Sequence, residues 1–102
     1  MEKSVKISML LEIYRNLLTD KQADISDLYY NQNLSLSEIA DESGVTRQAV
    51  RKSLVEAEKN LFIYEEKLKI LEKQMQREKK IDKLLKQVND EKLAKLIEEL
   101  KG

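Results

Sequence analysis

Residues 35–54 read S-L-S-E-I-A-D-E-S-G-V-T-R-Q-A-V-R-K-S-L. Ser35 followed three residues later by Glu38 is a capping box: hydroxyl and carboxylate each satisfy a backbone N–H that the start of a helix leaves open. Leu36, Ile39 and Ala40 give the short helix behind it an apolar face. Gly44 ends that helix, because glycine enters the left-handed conformation of the first residue past a helix without steric cost. Thr46 then offers an N-cap oxygen to the next helix. With Ala40 small where the two helices cross, and Ile39, Val45 and Val50 filling the core between them, the stretch has the anatomy of a helix-turn-helix. Thr46, Arg47, Gln48, Arg51 and Lys52 then lie on the outer face of a recognition helix near its start, the nucleic-acid-binding residues expected here. Arginine suits the acceptors of guanine, glutamine those of adenine, and lysine a phosphate.

On the N-terminal side, Ile7, Leu10, Leu11, Tyr14, Leu17 and Leu18 fall at the three-and-four spacing of one helical face. Thr19 and Gln22 form a second capping box. It opens a helix running to about Tyr30, with Ile25, Leu28 and Tyr29 predicted inward, before a polar break at Asn31, Gln32 and Asn33.

On the C-terminal side, Val50, Leu54, Ala57, Leu61, Tyr64, Leu68, Leu71 and Met75 recur in alternating steps of four and three, a seam held over about four heptads. Val55, Phe62, Ile63 and Ile70 broaden the stripe beyond a simple zipper, so this long fourth helix is expected to be covered from more than one side. At about 45 Å for about 30 residues, the seam exceeds what a small helical head can cover. A homodimer through Leu61, Tyr64, Leu68, Leu71 and Met75 is therefore expected. The period falters over residues 76–80, the expected hinge or end of regular packing. It resumes at Ile81, Leu84, Leu85 and Val88, and Asn89 or Asp90 can cap a last helix carrying Leu93, Leu96, Ile97 and Leu100.

Composition agrees with an all-α class. The 102 residues include no Pro and 2 Gly, with 37% charged and 5% aromatic residues, the profile of helical bundles. One helical domain over residues 1–102 is expected, with a helix-turn-helix head at 5–58 and a helical extension at 59–102. Having neither Cys nor His, the chain lacks thiolate chemistry, the usual zinc ligands and the ordinary general base of neutral pH. Glu38 and Asp41 share a helix face but have no nucleophile beside them, so no catalytic residue, metal or cofactor is expected. The longest apolar run, Leu61 to Tyr64, is far short of the ~20 residues of a membrane span. Glu12 and Arg15 interrupt any secretory apolar region, which points to the cytoplasm and away from membrane insertion.

The 19 basic and 19 acidic residues cancel, yet unevenly: residues 1–44 hold 4 basic and 8 acidic side chains, and residues 45–102 hold 15 and 11. The halves carry −4 and +4. Basic excess gathers at Arg47, Arg51 and Lys52, and again at Lys73, Arg77, Lys79, Lys80, Lys83 and Lys86.

The runs L-L-T-D-K-Q from Leu17, L-Y-Y from Leu28, the helix-turn-helix stretch itself, and E-K-N-L-F-I-Y-E-E-K-L from Glu58 resemble, in order, the YlxM family of Gram-positive bacteria. The resemblance covers roughly Met9 to Leu71. The helix-turn-helix half is also similar, more broadly, to promoter-reading region 4 of bacterial sigma factors. The family resemblance implies a small helix-turn-helix protein whose gene commonly lies beside those of the signal recognition particle pathway, acting as a regulator or accessory component there. The Lys-rich segment after Leu71 lies outside the matched part.

Two functions remain open from sequence. One is a nucleic-acid-binding homodimer contacting duplex DNA or structured RNA. The other is a protein-interaction scaffold for the particle's GTPase or RNA, favoured by Asp20, Asp24, Asp27, Asp41 and Glu42, which would repel a phosphate backbone lying near them.

Overall fold

A computed structural model describes residues 1–101. Its helices are α1 (Lys3–Tyr14), α2 (Asp20–Tyr30), α3 (Leu36–Ser43), α4 (Arg47–Leu68), α5 (Ile70–Lys86) and α6 (Glu91–Glu99), with no strand among the described residues. The all-α, helix-turn-helix class read from sequence is the fold found. The chain forms two compact units, Met1–Lys69 and Ile70–Gly102.

In the first unit, Ile7, Leu10, Leu11 and Tyr14 are buried along one face of α1. Helix α1 packs on α2 and α4, and α4 is also contacted by α2 and α3. Leu61 is completely buried and Phe62 and Ile63 are half-buried, but Val55, expected in the same apolar stripe, is exposed, and Ile70 is exposed and lies outside α4. Both capping boxes form: the Thr19 Oγ1 accepts from Gln22 N at 3.1 Å and the Ser35 Oγ from Glu38 N at 3.1 Å, each with the reciprocal bond back to the cap N–H. Helix α2 ends in a polar turn in which Asp27 accepts from Asn31 Nδ2 at 2.7 Å and Gln32 Nε2 at 3.2 Å. Those bonds, Asn31 first, hold its carboxyl below the ordinary range. Asn33 takes φ +58° in the same turn, a conformation for which asparagine is enriched.

Two local expectations need correction. The first helix stops at Tyr14, and a 3-10 turn over Arg15–Leu17 follows, leaving Leu17 exposed and Leu18 buried in extended backbone. Tyr29 faces outward while Tyr30 turns in, its hydroxyl donating to Glu58 Oε2 at 3.3 Å.

The larger correction concerns the heptad seam. Helix α4 stops at Leu68 because Lys69 adopts φ +54°, its N–H still donating to Glu65 O at 2.8 Å. The expected continuous helix through Met75 is thus two helices, and α4 has 22 residues, about 33 Å of rise. Lysine has no intrinsic reason to break a helix, and a non-glycine residue in this region costs about 1–2 kcal/mol. The break has no signature in local residue types. Residues 76–80, conversely, are no hinge. They lie inside α5, since Gln, Arg, Glu and Lys are good helix formers whose lost apolar period marks exposure alone.

In the second unit, α5 and α6 form a hairpin. Asp90 is the cap, its Oδ1 accepting from Lys92 N at 2.8 Å and Leu93 N at 3.5 Å. Ile81 is buried and Leu85, Val88, Ala94 and Ile97 are half-buried.

Candidate nucleic-acid interface

The surface in question is built on the apolar cluster of Ile25 from α2, Ile39 and Ala40 from α3, and Val50 and Leu54 from α4. Leu36 and Val45 pack against its edge. These contacts fix how α3 and α4 cross. Gly44 adopts φ +68°, and Val45 N donates back to Ala40 O at 3.1 Å. No heavy atom lies within 4 Å of where a Cβ would stand at Gly44; the need for glycine is conformational rather than spatial. Thr46 Oγ1 accepts from Ala49 N at 3.1 Å, starting α4 as expected.

All five residues assigned to nucleic-acid contact, Thr46, Arg47, Gln48, Arg51 and Lys52, are exposed. At 3.6 residues per turn, Gln48 and Lys52 point opposite the buried Val50, Leu54, Ala57 and Leu61, while Arg51 and then Arg47 lie to one side of them, Arg47 at the edge of the buried face. The same projection adds two residues that sequence reasoning passed over: Val55, 59% exposed, and the exposed Lys59. Their signal was the spacing from Gln48, seven and eleven residues on, along the side opposite the core. Lys59 lies about 18 Å of helix beyond Arg47, more than the ~12 Å width of a major groove.

Helix starts differ in charge across the chain. The first turns of α2, α3, α5 and α6 carry Asp20, Glu38, Glu72 and Glu91, whereas those of α1 and α4 carry no acid. Acids stabilise a helix start by opposing its positive dipole end. In α4 that end keeps its positive character and adds Arg47. The exposed Asp41 and Glu42 of α3, and Asp20 and Asp24 of α2, supply the opposing charge of the first unit. Glu38 belongs to its cap, where the Ser35 N–H and hydroxyl hold its carboxyl below the ordinary range.

The residues expected at a dimer surface are distributed unevenly. Leu61 and Leu71 are buried, Tyr64 is half-buried with its hydroxyl donating to Leu17 O at 3.1 Å, and Leu68 and Met75 are 46% and 37% exposed. Leu61, Tyr64 and Leu68 lie on α4, and Leu71 and Met75 on α5.

A separate groove of about 800 Å³ in the first unit is lined by residues that include Ile7, Tyr29, Tyr30 and Glu58. Lys3 Nζ pairs with Glu58 Oε1 at 2.6 Å, and burial, then the Glu58 charge, pushes the Tyr30 hydroxyl up to about 12. Among the described residues no group of three or more acidic side chains is arranged to hold a metal ion, and no helix is long and apolar enough to cross a membrane.

Over residues 1–101 the sequence matches the family model UPF0122, described as "Putative helix-turn-helix protein, YlxM / p13 like". The chain belongs to the UPF0122 family. A UPF0122 protein of Clostridium botulinum is 42% identical over 90 residues, covering 88% of this chain and 83% of the relative. One of Clostridium kluyveri is 43% identical over 103 residues, covering 94% and 93%. One of Listeria innocua is 40% identical over 106 residues, covering 99% and 96%. The UPF0122 match extends past Leu71, the limit of the motif-level resemblance, so α5 and α6 belong to the family unit as much as the helix-turn-helix does.

Proposed function

We propose that this UPF0122 protein is a non-enzymatic, homodimeric nucleic-acid-binding protein that uses the start of α4 as its recognition helix. The observation carrying this reading is the first turn of α4. It is capped by neutral Thr46 and free of acids, and it presents Arg47, Gln48, Arg51 and Lys52 outward from a core that leaves that face open. Arg47, Gln48 and Arg51 reach base edges, Lys52 and Lys59 reach phosphates on either side, and Val55 offers an apolar contact of the kind that meets a thymine methyl. One head provides few cations. Two heads double the phosphate contacts and fix the spacing of half-sites. The role proposed for this activity is a regulatory or accessory one in the signal recognition particle pathway, in the cytoplasm, a reading that the resemblance to YlxM supports.

A second reading, a scaffold for proteins of that pathway with no DNA binding, is favoured by the exposed Asp20, Asp24, Asp41 and Glu42 of the same unit. Fluorescence anisotropy with duplex DNA and with structured RNA at low salt separates the two. Binding by the wild type that is lost in Arg47→Ala/Arg51→Ala supports the recognition helix. No binding by the wild type supports the scaffold.

A further inference from the structure

Helix α6 turns Ala94 and Ile97 toward half-burial but leaves Leu93, Leu96 and Leu100 at 48%, 59% and 51% exposure. The three leucines fall at i, i+3 and i+7, a continuous apolar seam on the outside of the hairpin. A contiguous exposed apolar strip of this kind marks an interaction surface.

The charges beside the seam specify what covers it. With Leu93 and Leu96 as successive seam residues, Lys92 and Glu99 occupy equivalent flanking positions one heptad apart. Neither has an ion-pair partner among the described residues. When two copies of α6 run antiparallel about a two-fold axis between Leu93 and Leu96, Leu93 of each faces Leu96 of the other. Lys92 of each then comes beside Glu99 of the other. The Lys92–Glu99 match thus occurs twice by symmetry, as in an isologous interface. In a parallel pairing the position across from Lys92 is Ile97, and no such match forms.

We infer that α6 is a self-pairing helix, and that the partner fitting its outer seam is the α6 of a second copy of this chain, antiparallel. This rests on the dimeric part of the function proposed above and adds a surface to it, for Leu61 and Leu71 are already buried within one chain. In this register Leu93 and Leu96 of each copy face each other while Leu100 meets the Asn89 position, so the interface is small and the dimer weak and concentration-dependent.

Sedimentation equilibrium of the full chain over the micromolar range tests it, with far-UV circular dichroism confirming helicity. Four variants are compared with the wild type: Leu96→Asp, Lys92→Glu, Glu99→Lys and the double swap Lys92→Glu/Glu99→Lys. Leu96→Asp is expected to be monomeric at unchanged helicity. Each single charge reversal is expected to raise the dimer dissociation constant about tenfold, and the double swap to restore it. A wild type that stays monomeric throughout overturns both the seam and the homodimer. A dimer that survives Leu96→Asp, or a double swap no tighter than the singles, overturns the antiparallel α6 pairing and leaves the homodimer standing.

Discussion

The Tyr14 hydroxyl donates a 2.7 Å hydrogen bond to Glu65 Oε1, joining the last turn of α1 to α4 across 51 residues of sequence. Tyr14 is 1% exposed, and its ring lies 6.0 Å from that of Tyr64 at a tilt of 47°. A buried phenol bonded to a carboxylate is a stronger tie than a neutral pair. It holds the helix that supports the recognition face. Tyr14→Phe keeps the ring packing and deletes the bond, so the variant is expected to lose about 1–2 kcal/mol. At about 4–8 °C per kcal/mol for a domain this size, thermal melting resolves the loss.

Ser26 carries the opposite expectation. It is fully buried on α2, and its Oγ has no hydrogen-bond partner. An unsatisfied buried hydroxyl costs about 1–3 kcal/mol. Ser26→Ala removes the oxygen with little change in volume and is expected to raise the melting temperature. A lower one would show that the hydroxyl has a partner in solution.

Tyr30 gives a pH signature. Burial, then the Glu58 charge and hydrogen bond, raises its hydroxyl from 10.0 to about 12. The folded pKa lies above the unfolded one, so the stability that Tyr30 contributes is fully present below pH 10. It is lost as pH rises through about 12. Spectrophotometric titration of tyrosinate is expected to show one late-ionising residue fewer in Tyr30→Phe than in the wild type. The fall in stability above pH 10 should be shallower in that variant.

The head was legible because its signals are local. Capping boxes at Thr19 and Ser35, the glycine turn at Gly44 and the cap at Thr46 are each written in three or four adjacent residues, and each forms as read. The exposure of the five residues proposed for contact followed, since a cap fixes where a helix starts and hence which side chains face out. The break at Lys69 was not legible: nothing in Leu68, Lys69 or Ile70 disfavours helix, and the heptad spacing runs straight across it. Periodicity reports which face is apolar, and a single left-handed residue changes the path without changing the pattern. Tyr29 and Tyr30 were exchanged for a related reason. Adjacent tyrosines near a helix end fit the apolar face about equally well, and Glu58, 28 residues away from Tyr30, selects one of them.

Salt-dependent anisotropy of duplex DNA and structured RNA, measured for the wild type and for Arg47→Ala/Arg51→Ala, tests the recognition-helix claim most directly. Low-salt binding by the wild type that weakens steeply with salt is expected. The double variant, with unchanged helicity, is expected to bind about tenfold to hundredfold more weakly. Equal binding by the double variant, or no binding by the wild type at low salt, would contradict it.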